Sequence, residues 1–426
     1  FILFVVCTNA AGADMPVGVG LTPTLPEPDQ SLIPTVNIAK AIGWPEGAKP
    51  IAADGFSVNQ FAGGLTHPRW LYVLPNGDVL VADSNAPSNR EGESGLLAWI
   101  THLVMKRAGA GVPSPDRVFL LRDTTGDGVA DTRSSFLEGV RSPFGMVLVD
   151  HSLYVAASDS IMRYPYVDGD THISSKGKML VDLTLGKPNH HWTKNIIASR
   201  DGKHLYVAIG SNSNIAEHGM EEEKELAAIW QVERVTGELR IFASGLRNPV
   251  GMAWQPETGV LWTVVNERDE LGNDLVPDYL TSVKEGAFYG WPYSYFGQHI
   301  DSRIDPQNPA LVAKAIAPDY ALGSHVAALG LTFYDGRLFP AKYINGAFIG
   351  EHGSWNRRPR AGYKVVFVSF DNGQPVGFPR DFLTGFLNEE GRAYGRPVSV
   401  AVDKSGALLV ADDVGDKVWR VVPDAI

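Results

Sequence analysis

The sequence has almost no cysteine, no excess of positive charge and few long apolar runs, and each absence excludes a class of protein. Its 426 residues include one cysteine, Cys7, so a disulfide framework is excluded. A formal net charge of −11 argues against a nucleic-acid partner, which requires a basic face. Beyond the opening segment, no apolar run approaches the roughly 20 residues of a membrane-spanning helix. No strand-linked G-x-G-x-x-G followed by an acidic residue occurs, which argues against a nicotinamide enzyme.

The opening residues are typical of the end of an export signal. The apolar stretch FILFVVC is followed by the small-residue segment TNAAGA and then Asp14. We therefore predict a truncated signal peptide at residues 1–13 and a mature protein that is periplasmic or secreted. In an alternative reading Cys7 carries a lipid, but Val6 is large where lipoprotein signals have a small residue.

Proline punctuates the segment that follows, PVGVGLTPTLPEPDQSLIPT. Proline fixes φ and lacks the N–H donor that helix interiors and central strands need, so residues 14–49 are predicted to be a proline-rich tether. The folded part is expected to begin near Pro50. With 45 Gly and 28 Pro in the chain, many turns and few long helices are expected.

One pattern then recurs along the rest of the chain. An apolar strand leads into a turn such as PNG, RDG, ETG or KSG, where Gly or Asn accepts a positive φ, and a second strand ends in a small or acidic residue. Copies begin at Trp70, Phe144, Ile196, Val250, Leu329 and Val398. Such radial repetition predicts an all-β fold, a six-bladed β-propeller over residues 50–426. The segment GFSVNQFAGG from Gly55 is predicted to supply the missing outer strand of the last blade and close the ring.

Two segments between the repeats have their own patterns. Apolar residues at helical spacing in SGLLAWITHLVMKRAGAG predict an inserted helix at 94–108, between the first two repeats. It either packs on the propeller flank or touches a membrane or an electron acceptor. The segment DTTGDGVAD, from Asp123 to Asp131, resembles part of a calcium loop but lacks the glutamate of the twelfth position, so a structural turn is equally consistent.

Polar clusters lie at the junctions of the predicted inner strands, which a propeller brings to one mouth of its channel. Each has a structural reading, such as a packed histidine, a solvated acidic loop or a basic rim. Together they supply an imidazole, several guanidiniums and a carboxylate-rich loop, which indicate a planar, anionic polycarboxylate ligand and a hard metal held by oxygen atoms. The clusters are NHHW at 189–192, GLRNPVG at 245–251, NERDELGNDLVPD at 266–278, EHGSWNRRPR at 351–360 and YGRPV at 394–398.

The combination of HHWTKN, GLRNPVGMAW, VNERDELGNDLVPDYL, EGAFYGWP, SHVAALGL, HGSWNRRPRAGYKV and YGRPVSVAVD resembles the glucose/sorbosone dehydrogenases, most closely their sorbosone branch. The resemblance runs from about Gly55 to the C-terminus. It implies a six-bladed propeller with pyrroloquinoline quinone (PQQ) across the channel mouth and Ca²⁺ between the quinone and backbone carbonyls. It also implies oxidation of an aldose, an osone or a related sugar alcohol or hydrated aldehyde by hydride transfer, and an external electron acceptor such as a quinone or a cytochrome.

The resemblance also assigns roles to residues. It makes His191 the catalytic base and implies metal binding by the backbone carbonyls of Arg268 and Asp269, with the side chains of Asp274 and Asp278 as further candidates. The segment GSNSN places Ser211 where the family has a carboxylate that orients the base. The motif leaves open which residue replaces a family lysine among Asn356, Arg357 and Arg358. The implied cofactor contacts are Arg247, Asn248, Asn356, Arg357, Arg358, Arg396 and His190.

Two other functions fit parts of the sequence. A propeller lactonase would need a central calcium bound by Asp, Asn and Glu side chains from several blades, and no quinone. A non-enzymatic binding propeller would need damage in the charged set, which is intact at His191, Arg247, Asn248 and Arg396.

Overall fold

The computed structural model describes residues 17–29, 35–87, 106–184 and 189–424. The signal peptide predicted at 1–13 lies outside these residues, as does nearly all of the inserted helix predicted at 94–108. Within the described ranges, no helix is long and apolar enough to cross a membrane.

The structure is a six-bladed β-propeller, built from six antiparallel sheets. Three strands precede the first blade: β1 (Val19–Gly20), β2 (Ile51–Ala52) and β3 (Phe56–Gly63). Blade one consists of β4 (Pro68–Val73), β5 (Val79–Asp83), β6 (Arg117–Arg122) and β7 (Thr132–Glu138). Blade two consists of β8 (Met146–Val149), β9 (Ser152–Ala156), β10 (Ser160–Pro165) and β11 (Lys178–Asp182). Blade three consists of β12 (Lys194–Ala198), β13 (His204–Ile209), β14 (Ala228–Glu233) and β15 (Leu239–Ser244).

Blades four and five contain elements beyond the usual four strands. Blade four consists of β16 (Asn248–Trp254), β17 (Leu261–Asn266), β18 (Pro277–Ser282) and β21 (Tyr320–Ser324), with β1 at its edge and the hairpin β19 (Ser294–Tyr295) and β20 (His299–Ile300) inserted. Blade five consists of β22 (Ala328–Phe333), β23 (Ala347–Glu351), β24 (Lys364–Asp371) and β25 (Gln374–Thr384), with β2 at its edge. Blade six contains β26 (Pro397–Val402), β27 (Leu408–Asp412) and β28 (Lys417–Pro423). The short helices are η1 (Met220–Glu223), α1 (Pro309–Val312) and η2 (Ala341–Tyr343).

The ring closes through its first long strand. Strand β3 pairs antiparallel with β28 over its whole length, from Gly63 opposite Lys417 to Phe56 opposite Pro423. The last blade therefore takes its outer strand from the beginning of the chain, which confirms the sequence prediction. This pairing leaves the sixth sheet without an open edge at that position.

The recurring strand-terminal acid has a structural role. Asp83 ends β5 and accepts a hydrogen bond from the backbone N–H of His67, 2.6 Å away, just before β4. Asp412 ends β27 and accepts one from the N–H of Arg396, 2.7 Å away, just before β26. Each carboxylate satisfies backbone donors of the loop that enters the inner strand. This recurring contact places the residues before the inner strands at the mouth of the channel.

The proline-rich segment predicted to be a tether packs along the propeller, and we call residues 17–29 and 35–48 the N-terminal strap. Its β1 pairs with β21, and the N–H of Asp29 donates to the carbonyl of Leu271 at 3.0 Å. Further along, Trp44 Nε1 donates to Asp412 Oδ2 at 2.6 Å. The strap thus contacts loops of blades four to six, beside the predicted site.

Candidate functional site

The candidate site lies where the inner strands begin and the second strands end. The inner strands β4, β8, β12, β16, β22 and β26 are neighbours around the axis. Because each second strand runs antiparallel to its inner strand, these two kinds of terminus lie at the same end of the propeller. The close approach of the inner strands depends on small residues: a Cβ at Gly251 would lie 2.7 Å from the carbonyl of Leu329.

The proposed base, His191, is half-buried and lies three residues before β12. Its Nδ1 lies 2.6 Å from the carbonyl oxygen of Ser211. A carbonyl can only accept, so Nδ1 carries the proton and Nε2 keeps a free lone pair. Burial and then the nearby charge of Arg247 hold the pKa of His191 well below its ordinary value. The ring is therefore neutral at neutral pH and can accept a proton.

The second histidine of the pair occupies a different environment. His190 is exposed, and its ring meets the ring of His191 edge-on at a centroid distance of 4.8 Å. The backbone of His191 is held from below by the buried Lys194, whose Nζ donates to the His191 carbonyl at 2.7 Å. Burial lowers the pKa of Lys194 to about 7.

Gly210 brings two predicted site residues together. A Cβ at this position would lie 2.5 Å from both His191 Cβ and Asn248 Oδ1. Because glycine has no Cβ, the side chains of His191 and Asn248 can both pack against the backbone of residue 210. The Oδ1 atom of Asn248 is buried and has no hydrogen-bond partner in the described part of the chain. Such an orphaned acceptor is uncommon in a folded protein and indicates a place where a ligand donor can bind.

Arg247 is buried and fully occupied by the protein itself. Its Nε donates to the Asn214 carbonyl at 3.2 Å, Nη1 to the Glu267 carbonyl at 2.9 Å, and Nη2 to Asn214 Oδ1 at 3.0 Å. Nη2 also lies 3.6 Å from Asp269 Oδ2. These contacts join loops of blades three and four. The cofactor contact predicted for Arg247 stays a prediction, because its donors point to carbonyls in this structure.

Asp269 forms the centre of the adjoining contacts. Its Oδ1 accepts from Asn356 Nδ2 at 2.7 Å and lies 3.4 Å from His325 Nδ1. Burial alone would raise the pKa of Asp269, but the hydrogen bond from His325 and the charge of Arg247 lower it. The carboxylate is thus ionised. Asn356 is buried with its Oδ1 lacking a partner among the described residues.

A second charged cluster surrounds Asp413, directly after β27. Arg69 Nη1 donates to Asp413 Oδ2, His352 Nε2 lies 2.9 Å from the same oxygen, and His67 Nε2 lies 3.7 Å from it. Burial would raise the pKa of Asp413, but His352, His67 and Arg69 hold it far below its usual range. Burial lowers the pKa of His352 to about 4. Neutral His352 therefore donates from Nε2 and keeps its Nδ1 lone pair.

Arg396, just before β26, carries the clearest sign of a missing partner. It is 4% exposed, and its Nε and Nη2 atoms are buried without a hydrogen-bond partner among the described residues. Its guanidinium lies over the ring of Tyr363, 4.9 Å from the centroid. A buried cation with two unused donors is costly unless an anion binds it. The Nε of Arg69 is also unpaired among the described residues.

The contacts between these groups run around the channel mouth. Arg69 lies over the ring of Trp192, 5.7 Å from the ring centroid. Trp192 directly follows His191 in the chain. Tyr363, below Arg396, donates from its hydroxyl to the carbonyl of Ser354 at 2.6 Å, two residues before Asn356. The two charged clusters are therefore parts of one site. Its unpaired donors and flat ring surfaces fit a planar anion.

Several predicted site residues lie elsewhere. Arg357 is bound to the acidic loop at 266–278, donating to the Asn273 carbonyl at 2.9 Å and to Asp274 Oδ1 at 2.6 Å. Arg358 is exposed. The side chain of Arg268 is fully buried and binds Glu267 at 3.0 Å and Asp301 at 3.2 Å, while the metal contact predicted for its backbone carbonyl stays a prediction. Of the three candidates for the position of the family lysine, the structure brings Asn356 to the site.

The acidic loop offers a poor set of side chains for a metal. Asp274 pairs with Arg357, and the two carboxylate oxygens of Asp278 accept from the N–H groups of Glu267 at 2.8 Å and Ala327 at 2.7 Å. The Asp269 carbonyl already accepts from Arg303 Nη1 at 3.0 Å. Among the described residues, no group of three or more His, Cys, Asp or Glu is placed to hold a metal ion.

Two buried carboxyls near the site keep their protons to a higher pH than an exposed carboxyl does. Burial raises the pKa of Asp278 to about 7 and that of Glu351, which ends β23, to about 8. Glu351 is 1% exposed, and its Oε2 has no partner among the described residues. A carboxylic acid in such a place avoids the cost of a buried charge.

Glu351 should make stability fall with rising pH. Its pKa is higher in the folded than in the unfolded chain, so its contribution is complete below about pH 4.5 and is lost as pH rises toward 8. Glu351→Gln removes this loss. The free energy of unfolding of the variant, minus that of the wild type, should rise by roughly 3 to 5 kcal/mol over this range. Urea unfolding at a series of pH values measures this difference, and parallel pH curves for the two proteins would contradict the protonated state.

The sequence left four of these site residues unassigned. They stand in short polar segments at strand ends: HPR before the first copy, EHG at the end of β23 and ADD at the end of β27. Each places a polar residue at the strand termini that meet at the mouth. The four are His67, Arg69, His352 and Asp413.

Residues 54–354 match a family model described as a domain of unknown function (DUF7133), and residues 308–423 match a model described as TrAA12-like. An uncharacterized protein of Borreliella burgdorferi is 32% identical over 297 residues, 67% of this chain and 77% of that protein. A pyrroloquinoline quinone-dependent sugar dehydrogenase of Hypocrea jecorina is 24% identical over 382 residues, 80% of this chain and 79% of that protein.

The fold is also that of a solved structure, the holo form of the pyranose dehydrogenase PQQ domain from Coprinopsis cinerea. The TM-score is 0.70 at 18% identity, over 91% of this chain and 100% of that chain. The predicted resemblance to PQQ-dependent sugar dehydrogenases is confirmed by these relatives and neighbours. Assignment to the sorbosone branch stays a prediction.

Proposed function

Since the chain belongs to the family described as a domain of unknown function (DUF7133), its reaction has to be argued from its site, and we propose that it is a PQQ-dependent sugar dehydrogenase. The observation that carries the proposal is Arg396, a buried guanidinium with two nitrogens that have no partner in the described part of the chain, in the same ring of contacts as the neutral imidazole of His191. An anionic ligand for the arginine and a proton acceptor for the substrate are what base-assisted hydride transfer to a carboxylated quinone requires.

The unpaired atoms indicate which residues would hold the cofactor. Arg396 and Arg69 offer free N–H donors to carboxylate or quinone oxygens, and Asn248 and Asn356 offer free amide oxygens. The rings of Trp192 and Tyr363 already lie against guanidiniums and give the site flat, apolar surfaces. When bound, the quinone would accept the hydride from the substrate carbon. Binding of the cofactor and removal of the substrate proton would fall to residues of the protein.

His191 would take the hydroxyl proton of the substrate at Nε2. The hydrogen bond from Nδ1 to the Ser211 carbonyl fixes both the tautomer and the plane of the ring. The low pKa of the unliganded site keeps the ring unprotonated, and an anionic ligand nearby would raise that pKa toward the range of an effective base. The same carbonyl can stabilise the protonated ring once the proton has arrived.

The substrate in this proposal is a sugar-like compound with a carbon that bears both hydrogen and hydroxyl: an aldose, an osone such as sorbosone, or a related sugar alcohol or hydrated aldehyde. The electrons then leave to an external acceptor, a quinone or a cytochrome. We place the reaction in the periplasm or outside the cell, on the strength of the opening sequence FILFVVC and TNAAGA.

Reconstitution tests the proposal directly. The purified chain is titrated with PQQ by calorimetry, and the loaded protein is then screened for dye reduction over aldoses, osones and polyols. We expect saturable quinone binding and turnover on at least one member of these classes. Absence of quinone binding up to about 1 mM, a free energy weaker than about −4 kcal/mol, would rule the proposal out.

Calcium fits the acidic side chains poorly, so we assign it no step. The predicted ligands reduce to backbone carbonyls, and that of Asp269 already accepts from Arg303. Calcium titrated into the apo protein should therefore not saturate a site at concentrations below about 0.1 mM, because only weak calcium sites have dissociation constants above that value. Uptake at lower concentration should require the quinone, which would supply further oxygen ligands when bound. Calorimetry measures the quinone affinity with and without a chelator. An affinity that the chelator does not change would mean that calcium takes no part in quinone binding.

A further inference from the structure

The loop at residues 211–214, which follows β13, contacts three parts of the candidate site. The Ser211 carbonyl accepts from His191 Nδ1 at 2.6 Å. Asn214 accepts from Arg247 through its carbonyl, at 3.2 Å, and its side chain, at 3.0 Å. Asn214 Oδ1 also accepts from the N–H of Asp269 at 2.9 Å. The orientation of the imidazole therefore depends on how this loop is held.

A buried carboxyl holds the loop from behind. Glu223, at the end of η1, is 4% exposed, and its Oε2 accepts from the N–H of Asn212 at 2.8 Å. Its Oε1 is hydrogen-bonded to Ser213 Oγ. The Ser213 carbonyl in turn accepts from Ser211 Oγ at 2.7 Å. A continuous series of hydrogen bonds thus links Glu223 to the residue that fixes His191.

We propose that Glu223 is the positioning residue for His191 and acts through the 211–214 loop, since no carboxylate touches the ring in the described structure. The inference rests on the proposed function in taking His191 as the base. Glu223 contacts neither the ring nor any substrate position. Its role is to fix the Ser211 carbonyl, and through it the Nδ1–H tautomer that leaves Nε2 free.

The surroundings of Glu223 make its charge sensitive to pH. Burial raises its pKa to about 7, while the bonds from Ser213 and Asn212 lower it. The charged groups nearby are Glu217, which raises this pKa, and His218, which lowers it. Above pH 7 the carboxylate accepts from Ser213 Oγ, and below it the acid can donate to the same oxygen. Either form keeps the loop attached, as a glutamine would.

Glu217 provides a matched control on the same loop. Its carboxylate accepts from the N–H groups of Asn214 at 3.0 Å and Ile215 at 2.7 Å, but it is exposed and has no hydrogen bond to Ser213 or Asn212 among the described residues. An exposed clamp contributes less than a buried one because water replaces it. Glu217→Ala should therefore leave the tautomer of His191 unchanged.

The test uses the apo protein first. With ¹⁵N-labelled histidine, NMR reports the tautomer of His191, assigned by loss of its signals in His191→Gln. We expect the Nδ1–H form in the wild type, in Glu223→Gln and in the control Glu217→Ala. Glu223→Ala should give a mixture with Nε2–H, because the carbonyl is no longer fixed. If Glu223→Ala does not fold, Glu223→Asp, which is too short to reach both partners, replaces it.

The loaded enzyme gives the second readout. Glu223→Ala should lower kcat by roughly 10- to 100-fold, as expected for a misplaced catalytic group, with quinone affinity within about 3-fold of the wild type. Glu223→Gln should restore most of it. An unchanged His191 tautomer in Glu223→Ala, or in Glu223→Asp where that variant replaces it, would overturn the inference whatever the activity. A changed tautomer in a protein that binds no quinone would instead overturn the proposed function and leave the positioning role standing.

Discussion

Replacing His191 by glutamine should lower dye-linked turnover by roughly 10² to 10⁴-fold, the usual share of general-base catalysis. Glutamine keeps similar bulk and can still donate a hydrogen bond to the Ser211 carbonyl, which lies 2.6 Å from Nδ1 in the wild type. It has no group that can take up a proton near neutral pH. Quinone affinity, measured by calorimetry, should change much less than turnover, because the free donors for an anion lie on Arg396 and Arg69.

His190→Gln is the control for this experiment. His190 is exposed, and His191 alone of the two has its Nδ1 fixed by the Ser211 carbonyl. The control should keep a larger fraction of turnover across pH 5 to 9. Near-normal turnover in His191→Gln would contradict the mechanism. A loss of turnover confined to His190→Gln would mean that His190, and not His191, is the base.

Arg396→Gln should weaken quinone binding by roughly 30- to 4,000-fold, since a buried guanidinium paired with an anion is worth on the order of 2 to 5 kcal/mol when its partner is left unpaired. The apo protein should lose little stability, because Nε and Nη2 of Arg396 have no partner to lose among the described residues. Calorimetric titration and apo melting curves measure the two effects separately.

Arg247→Gln provides the contrast, because its guanidinium binds carbonyl oxygens of Asn214 and Glu267. Its loss leaves buried acceptors unsatisfied, so the apo melting point should fall clearly. Both arginines were predicted to be cofactor contacts. In the described structure Arg396 has two nitrogens without a partner, whereas the donors of Arg247 are bonded to protein oxygens. Unchanged quinone affinity in Arg396→Gln, with a large fall in apo stability, would exchange their roles.

The sequence predicted those features that local chemistry determines. Turn residues and paired apolar runs gave the six repeats, and the strand from Gly55 was recognised because it lacked a partner of its own. The clusters that contain His191, Asn248, Asn356 and Arg396 were found because they stand next to the ends of inner or second strands, which the topology brings to one mouth. Locating these clusters needed only the direction of each strand, whereas the role of each residue within them came from the resemblance to the glucose/sorbosone dehydrogenases.

Contacts between distant blades could not be predicted in the same way. Arg69 and Asp413 are 344 positions apart, and His352 and Asp413 are 61 apart, so their meeting depends on the closed ring. Burial was equally hidden in the run from Asn356 to Arg358, where one side chain enters the site and the next two do not. The strap was predicted to be free of regular structure because of its prolines, but a lack of regular structure does not exclude packing.

The pairing of β3 with β28 sets an order of events for a chain that is being synthesised. Residues 56–63 leave the ribosome early but cannot find their partner until residues 417–423 have followed. Closing a loop of this length costs roughly 5 kcal/mol in chain entropy by the (3/2)RT ln n relation, before any contact compensates for it. Trp44 likewise lacks its hydrogen-bond partner until Asp412 has been synthesised. The nascent protein therefore keeps an open sheet edge, and the Trp44 end of the strap stays undocked, until the last blade emerges. A chain that stops short of β28 leaves that edge exposed to proteases and to other chains.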